Sequence, residues 1–329
     1  MDPLIAVLQR IESTLEKIEQ RLSVPQLNAL DWQASIAFRW RKKNGIAYLQ
    51  GVNNLSTIKL AELKHIDMPK QLIVQNTRQF VKGCPANNVL LTGARGTGKS
   101  SLIKACLNEF AKQGLRLIEV DKSDLVDLAD IMELVEHRPE FFIIYCDDLS
   151  FEEGESSYKA LKSALDGSVC VQSQNVLIYA TSNRRHLLPE YMKENLSYTH
   201  TEDGEVHPGD GVEEKISLSD RFGLWVNFYG FSQEEYLSIC ESWLASLGLQ
   251  ADASSRRAAL QWALERGFRS GRVASQFARD WAGQKFSNKK PVANQARVSA
   301  PKVLSTSSSK NGPGSPKNKG EQKMKNTKV

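Results

Sequence analysis

Residues Gly93 to Ser100, GARGTGKS, combine three glycines with a lysine and a serine at a spacing that can bind a polyphosphate. The segment fits G-x4-G-K-[ST], in which the glycines let backbone N–H groups surround the phosphate oxygens. Lys99 then neutralises the β and γ phosphates, and the hydroxyl of Ser100 ligates Mg²⁺. We therefore predict a binding site for ATP and Mg²⁺. The residues predicted to form it are Gly93, Ala94, Arg95, Gly96, Thr97, Gly98, Lys99, Ser100 and Ser101.

Two neighbouring carboxylates, Asp147 and Asp148, directly follow the apolar run FFIIYC. Adjacent acids repel each other, so a cation is expected beside them. In P-loop enzymes an acid at the end of a later strand holds Mg²⁺, and we assign that role to Asp147 together with Ser100. Asp148 is then placed to orient or deprotonate the attacking water. The alternative, that the two acids cap a helix, is disfavoured by the apolar strand before them and by the phosphate loop upstream.

These residues need a scaffold, and from residue 86 the chain alternates short apolar runs with helical periodicity. The apolar runs, which we predict as strands, cover 88–93, 115–120, 141–147, 175–182 and 224–230. The helical patterns between them cover 99–113, 123–137 and 156–166. Such alternation predicts βα units and a parallel sheet flanked by helices. Only helical patterns follow, at 232–247, 252–266 and 271–283. We predict an α/β domain over 85–230 and a small helical lid domain over 231–283.

The N-terminal part of the chain has a different pattern. Leucine and isoleucine recur every three or four residues from Leu4 to Leu22, which predicts an amphipathic helix over 1–24. This helix would either associate with a second copy or pack on its own domain. Residues 25–84 are predicted to form a helical extension. Its basic aromatic segment FRWRKK is interpreted as a solvated helix face, with nucleic-acid contact as the less favoured alternative.

The C-terminal segment 284–329 is strongly basic, with ten lysines and one arginine against a single glutamate, in a chain whose net charge is only +5. Its abundance of Ser, Asn, Pro and Gly predicts a disordered basic tail. A flexible cationic segment can bind nucleic acid without sequence preference by releasing counterions. A purely solubilising role is the equal alternative.

The composition excludes several classes of protein. At 329 residues and 41% hydrophobic content, the chain is long enough to bury at least one full core. Its five cysteines form no C-x-x-C pair, which favours reduced thiols over a disulfide or metal framework. No stretch approaches the ~20 apolar residues that a membrane-spanning helix needs, and the N-terminus lacks the features of a secretory leader. We therefore expect a cytoplasmic protein without a membrane partner.

Three further polar residues occur in a recognisable order. Asn183 ends the fourth predicted strand, Arg221 precedes the fifth, and Arg272 opens a helix of the lid. Together with the phosphate loop and the two acids, this order resembles that of AAA+ ATPases. The segments GARGTGKSSLIKA, CDDLSFE, ATSNRRHLLPE and EEKISLSDRFGLW are more specifically similar to a bacterial AAA+ family catalogued as domain of unknown function 815.

The resemblance implies a role for each of these three residues. It makes Asn183 the sensor 1 residue, beside the γ-phosphate or the attacking water, and Arg221 the arginine finger of an adjacent subunit. It makes Arg272 the sensor 2 residue, with Arg269 as the alternative. It also implies a homo-oligomer, either a ring or an open assembly, that uses ATP hydrolysis to remodel or load a macromolecular partner. Nothing in the motifs identifies that partner.

One residue departs from the AAA+ pattern, because most of these proteins carry Asp-Glu where this chain has Asp147-Asp148. The missing methylene shortens the second acid by about 1.5 Å, one carbon–carbon bond, whereas a general base must come within about 3 Å of the proton it takes. Hydrolysis is therefore expected to be slow or to use a bridging water. The alternative function is an ATP-gated switch or scaffold that recruits partners through the N-terminal helix and the tail. A small-molecule kinase is disfavoured, since the sequence has no acceptor-pocket signature.

Overall fold

The computed structural model describes residues 5, 7, 10–14, 31–152, 155–166, 174–184, 187, 199–200, 206–207 and 218–287. The strands of its main sheet are β1 (Ala37–Lys43), β2 (Ile46–Gly51), β3 (Val89–Gly93), β4 (Leu115–Glu119), β5 (Phe141–Cys146), β6 (Val176–Ser182) and β9 (Leu224–Phe228). They lie in the order β2-β1-β4-β5-β6-β3-β9. Two short strands, β7 (Thr199–His200) and β8 (Val206–His207), pair antiparallel in a sheet of their own.

The main sheet is parallel from β1 to β9, and β2 joins β1 antiparallel at one edge. Its order places β6 between β5 and β3, which are the strands that precede the two acids and the phosphate loop. Because parallel strands point the same way, the carboxyl ends of β3, β5 and β6 meet at one edge of the sheet. The predicted α/β fold is confirmed, with one antiparallel strand added.

Helices cover the sheet and continue beyond it. They are α1 (Asp67–Phe80), α2 (Lys99–Phe110), α3 (Leu128–Glu136), α4 (Ser156–Asp166), α5 (Gln233–Ser246), α6 (Ala253–Glu265) and α7 (Gly271–Ser287). Short 3₁₀ turns occur at Leu60–Glu62, Ala111–Gln113 and Lys122–Asp127. The predicted strands and helices from residue 88 onward are therefore confirmed, within a few residues at their ends.

The sheet is buried on both faces, which explains why its central strands are continuous apolar runs. Side chains of β5 alternate between the two layers. Ile143 and Tyr145 join the core shared with α1, α2 and the C-terminal helices. Phe142 and Ile144 join the core beneath α3 and α4. The next residue on the first side is Asp147, so the strand directs this carboxylate toward α2.

The three C-terminal helices form the predicted lid. Helix α5 begins with a capping box, in which Ser232 and Glu235 each bond the backbone of the other. Tyr236 of α5 and Phe277 of α7 belong to the same core cluster as residues of α2 and β9. The lid therefore packs on the α/β part through a shared apolar core. Helix α7 continues to Ser287, and the division into separate α/β and lid domains stays a prediction.

The prediction of a helical extension over 25–84 is wrong for residues 37–51, which form the antiparallel hairpin of β1 and β2. Asn44 and Gly45 connect the two strands with φ values of 52° and 78°. Two consecutive positive φ values are typical of the type I′ turn, which favours Asn-Gly because its twist matches that of the flanking strands. Among the described residues of 25–84, only α1 and the turn at Leu60–Glu62 are helical.

The segment FRWRKK is a strand and not a solvated helix face. Phe38 and Trp40 are buried, and the intervening Arg39 is exposed. The basic residues pair with acids in or after β4: Arg39 with Glu119, Arg41 with Asp121 and Lys42 with Asp127. This pairing within the chain disfavours nucleic-acid contact at the hairpin.

The two ends of the chain are only partly described. Residues 10–14 are helical. Apart from Ile5 and Val7, the rest of the predicted helix over 1–24 lies outside the described residues, as does the basic tail from residue 288 onward. Of the helices that the structure describes, none combines the length and apolar character that crossing a membrane requires.

Candidate nucleotide site

The loop from Gly93 to Ser100 turns sharply between β3 and α2, and its glycines make the turn possible. Gly93 has a φ of 124°, and a Cβ there would lie 1.9 Å from the carbonyl oxygen of Phe228 on β9. Gly98 is the N-cap of α2 and has no side chain with which to cap it. The first N–H groups of the helix are thus available to an external acceptor. The loop can therefore approach a polyphosphate with its backbone.

The side chain of Lys99 is buried, with 6% exposure, and spans the loop. Its Nζ donates to the carbonyl oxygens of Gly93 at 2.6 Å and Ala94 at 2.9 Å, and to Oδ1 of Asn183 at 3.1 Å. Burial lowers the pKa of Lys99 to about 8, although the two carboxylates after β5 act in the opposite direction. A buried cation of this kind gains from the approach of negatively charged phosphate oxygens.

Ser100, Asp147 and Thr181 form a hydrogen-bonded cluster beside the loop. The hydroxyls of Ser100 and Thr181 donate to Oδ1 of Asp147 at 2.8 and 2.6 Å. Burial alone would raise the pKa of Asp147, but the hydrogen bonds, led by the one from Thr181, hold it below its ordinary value. The carboxylate is thus ionised at neutral pH. Hydroxyl and carboxylate oxygens are ligands that Mg²⁺ prefers, so the cluster fits the predicted metal site of Ser100 and Asp147.

Asp148 has its own set of contacts. Its φ of 53° is in the left-handed region, which aspartate adopts more readily than most residues, and its N–H donates to Oγ1 of Thr181 at 2.9 Å. Its carboxylate accepts a hydrogen bond from Nδ2 of Asn183 and lies 3.8 Å from the guanidinium of Arg95. Because Lys99 also bonds Asn183, this amide connects the phosphate loop to the second acid.

The lid contacts the phosphate loop at Gly96. The N–H of Gly271 donates to the carbonyl oxygen of Gly96 at 2.9 Å. A Cβ on Gly96 would lie 2.8 Å from Oγ of Ser270 and 3.2 Å from Cβ of Arg272. Arg272, the predicted sensor 2 residue, therefore lies next to the loop. The alternative Arg269 is exposed in the segment before α7.

Arg221 lies away from this site in the same chain. It precedes β9, and the register of β9 with β3 pairs Phe228 with Gly93, so Arg221 lies at the opposite edge of the sheet from the loop. The strand alone separates them by about 15 Å at 3.3 Å per residue. The guanidinium of Arg221 forms an ion pair with Asp166 at the end of α4. This placement is compatible with action on an adjacent subunit, which stays a prediction.

Three residues of the site are missed by the sequence analysis: Thr181, Ser270 and Ile66. Thr181 stands two positions before Asn183 on a buried strand, and this period-2 spacing was the available signal. Ile66 borders the loop, because its Cδ1 lies 3.5 Å from the position of a Cβ on Gly98. Nothing local marks Ile66 or Ser270, since their contacts arise only when the extension and the lid pack on the loop.

A protein-family model matches most of the chain. The model of the family described as "Protein of unknown function (DUF815)" matches residues 33–285. Among curated proteins, the replication factor C large subunit of Staphylothermus marinus is 35% identical over 74 residues, which are 22% of this chain. The matched part is 17% of the length of that relative.

Similar solved structures are more distant. RuvB of Thermotoga maritima, described as a Holliday junction branch migration motor, is 16% identical with a TM-score of 0.47. That likeness covers 69% of this chain and 64% of the RuvB chain, which is less than two thirds of it. The FIGL-1 AAA domain in complex with ADP is 16% identical with a TM-score of 0.47, over 72% of this chain and 76% of that one. Likenesses with identities and TM-scores this low carry no conclusion about this chain.

Proposed function

The chain belongs to the family described as protein of unknown function DUF815, and from this membership and the site geometry we propose that it is an AAA+-type ATPase. It binds Mg²⁺-ATP and hydrolyses it by in-line attack of water on the γ-phosphate. The observation that carries the proposal is the convergence of the phosphate loop, Asp147 and Asn183 at the carboxyl ends of three neighbouring strands. Ligands of open α/β sheets bind outside this edge.

The phosphate loop binds the triphosphate in this proposal. Lys99, already buried in the loop, exchanges its hydrogen bonds to Gly93 and Ala94 for bonds to phosphate oxygens. Bonds between ionised partners are stronger than bonds to neutral carbonyls, so the exchange favours the nucleotide. Arg272, next to Gly96, supplies a second cation from the lid.

Ser100 and Asp147, which bond each other at 2.8 Å, are the residues that would hold the metal. Thr181 donates to Asp147 at 2.6 Å and so orients the carboxylate toward Ser100. When bound, Mg²⁺ neutralises the charge that develops on the β and γ oxygens. The support for this assignment is the chemistry of the cluster, which offers oxygen ligands and an ionised carboxylate.

Asp148 and Asn183 act on the water. Asn183 accepts from Lys99 and donates to Asp148, so it fixes the carboxylate that orients or deprotonates the nucleophile. An aspartate reaches about 1.5 Å less far than the glutamate usual in AAA+ proteins. Proton transfer therefore proceeds slowly or through a second water.

The active form is an oligomer in this proposal, acting in the cytoplasm on a macromolecular partner. Arg221, which lies across the sheet from its own phosphate loop, reaches the γ-phosphate of an adjacent subunit. There its guanidinium offsets the negative charge of the transition state. The ion pair with Asp166 holds the side chain in a defined orientation until the subunits meet.

A second candidate function is an ATP-gated switch with little turnover. The observation that favours it is the contact set of Asp148, whose carboxylate bonds Asn183 and faces Arg95. A carboxylate held by an amide and a cation is less free to approach the attacking water, because its oxygens already have partners. In this reading the N-terminal helix and the basic tail recruit partners while ATP is retained.

Calorimetric titration with a non-hydrolysable ATP analogue and Mg²⁺ tests the nucleotide site. Lys99→Ala should weaken binding about 10- to 100-fold, since a hydrogen bond to a charged group contributes about 1.5–3 kcal/mol. Lys112→Ala is the matched control, because Lys112 is an exposed lysine just after α2 and its loss should leave the affinity unchanged. If both variants bind as tightly as the wild type, the nucleotide site is elsewhere.

Single-turnover hydrolysis separates the two candidate functions. The wild type should hydrolyse bound ATP, and Asp148→Asn should bind ATP but react ~10²–10⁴-fold more slowly through loss of the general base. Stoichiometric retention of ATP by the wild type, with no difference between wild type and variant, would support the switch.

A further inference from the structure

Tyr145 is the last large side chain of β5 before the two acids, and it faces the same side as Asp147. Alternation along the strand places it with Ile143 in the core beside α2. Its side chain is buried, with 1% exposure. The ring packs among apolar residues, and the hydroxyl extends toward Ser100, Thr181 and Asp147, the polar residues that interact with it.

The hydroxyl of Tyr145 lies near Asp147, Ser100 and Thr181, but it forms no hydrogen bond of ordinary geometry with any residue that the structure describes. Its three polar neighbours bond one another instead, since Ser100 and Thr181 both donate to Asp147. A buried hydroxyl without a partner is unfavourable, and a phenylalanine would fill the same space without that cost. The hydroxyl therefore needs a reason beyond packing.

The hydroxyls of the other fully buried tyrosines have hydrogen-bond partners inside the protein. Tyr179, on the adjacent strand β6, bonds Nδ2 of Asn76 at 3.0 Å and the hydroxyl of Thr77 at 3.0 Å. Tyr236 donates to the carbonyl oxygen of Ala259 at 3.1 Å. Only at Tyr145, among these three, is the partner missing, and only there does the phenol border the proposed Mg²⁺ site. A buried polar group without a partner often marks an ion or water site.

The chemistry of the cluster fits such a partner. The phenol of tyrosine carries its proton at neutral pH, so it is both a donor and an acceptor. Mg²⁺ in proteins keeps several of its water molecules, and these are strong hydrogen-bond donors. A phenol beside Asp147 can accept from such a water and donate to the carboxylate.

We propose that Tyr145 is a positioning residue of the Mg²⁺ site, whose hydroxyl bonds the water around the metal and Asp147 when Mg²⁺-nucleotide binds. The inference rests on the proposed function, because it requires the metal at Ser100 and Asp147. It extends that function by assigning a metal-dependent role to a core residue. Partners of this kind outside the ligands themselves typically change metal affinity 10–100-fold when removed.

The test measures the ADP affinity of full-length Tyr145→Phe by calorimetry at a series of Mg²⁺ concentrations. This change keeps the ring and removes only the hydroxyl. We expect the Mg²⁺ concentration that gives half of the metal-dependent gain in affinity to rise about 10-fold. ADP affinity in excess EDTA should stay at the wild-type value, and the thermal midpoint of the nucleotide-free protein should be unchanged or higher.

Tyr179→Phe is the matched control, since it removes an equally buried phenol that has its hydrogen bonds inside the protein. It should lower the thermal midpoint and leave the Mg²⁺ dependence unchanged. An unchanged Mg²⁺ dependence in Tyr145→Phe would overturn the inference and leave the proposed function standing. So would an equal loss of ADP affinity with and without Mg²⁺, because a packing defect has no metal dependence. A wild type whose ADP binding does not respond to Mg²⁺ overturns both.

Discussion

At the scale of single residues, the protonation state of Lys99 is coupled to nucleotide binding. Its ammonium group is buried in the phosphate loop and bonds two carbonyl oxygens and Asn183. Burial lowers its pKa to about 8, so the free protein begins to lose this charge at mildly alkaline pH. A bound triphosphate favours the protonated form. Nucleotide binding above pH 8 must therefore take up a proton.

We predict that nucleotide affinity falls as the pH rises above about 8. The sign follows because the lysine is neutral in the free state at high pH and charged in the complex. The loss should approach about tenfold per pH unit, since the phosphates are already ionised. Calorimetry in buffers of different ionisation enthalpy measures the proton uptake directly.

Lys99→Arg is the control for this prediction. A guanidinium stays charged throughout the accessible pH range, so the variant should lose the pH dependence between pH 7 and about 9.5, whatever its basal affinity. A wild type with flat affinity and no proton uptake over that range would contradict the assignment of Lys99 to the phosphates.

The sequence predicts the residues of the site that form local patterns, and misses those that depend on neighbours in space. Lys99, Ser100 and Asp147 are readable because the chemistry needs them at fixed offsets from a strand and a helix. Thr181 and Tyr145 lie beside the site only because of the order of the strands, in which β6 lies between β5 and β3. That order is a long-range property which no local spacing records.

At the scale of elements, the phosphate loop and the lid meet at Gly96. Its φ of 75° and the space around it both exclude a side chain, because a Cβ would lie 2.8 Å from Oγ and 3.0 Å from Cβ of Ser270. An alanine must therefore displace the start of α7 in addition to straining the backbone. The position of Arg272 depends on that helix.

We predict that Gly96→Ala weakens nucleotide binding about 10- to 100-fold, the loss typical of a misplaced binding group. Gly267→Ala is the matched control, since Gly267 has a φ of 74° in the lid with nothing within 4 Å of its Cβ position. Both variants should lose about 1–2 kcal/mol of stability from left-handed strain, measured by denaturation. Only Gly96→Ala should lose nucleotide affinity. Equal nucleotide affinities in the two variants would show that the contact between the lid and the loop does not contribute to binding.

The hairpin of β1 and β2 illustrates why the extension is mispredicted. FRWRKK has the alternation of a half-buried strand, and Asn44-Gly45 is a strong hairpin signal. A helical interpretation competes because arginine and lysine favour helices, and the segment is short. Pairing with β4 and burial of Phe38 and Trp40 decide the outcome, as tertiary contacts commonly do for strands.

At the scale of the whole molecule, basic charge is distributed unevenly. Arg39 and Arg41 on the hairpin pair with Glu119 and Asp121, whereas the segment from residue 288 onward carries ten basic residues against one acidic residue. The net positive charge available to a polyanion is therefore concentrated at the C-terminus.

We predict that deletion of 288–329 abolishes retention of DNA or RNA at low salt and leaves nucleotide binding intact. The wild type should lose retention steeply as salt rises, because binding releases counterions. Arg39→Gln with Arg41→Gln is the control and should be retained like the wild type. Full retention of the truncated protein would assign any nucleic-acid contact to another surface.

Arg221 gives a prediction about assembly. Arg221→Ala should bind ATP normally and hydrolyse it ~10³–10⁵-fold more slowly, the effect of an arginine finger. Mixing it with Lys99→Ala should restore part of the activity, since one subunit supplies the loop and the other the arginine. If the two variants co-assemble and the mixture stays inactive, Arg221 does not act between subunits.

The hydrogen bond from Gly271 to Gly96 connects the first residue of α7 to the phosphate loop. Helix α7 has 17 residues, so it is about 25 Å long at 1.5 Å per residue. A rotation of about 10° at the tied end would displace the far end by about 4 Å over that length. A rearrangement of the loop that rotated α7 would therefore be amplified toward the C-terminal end of this helix.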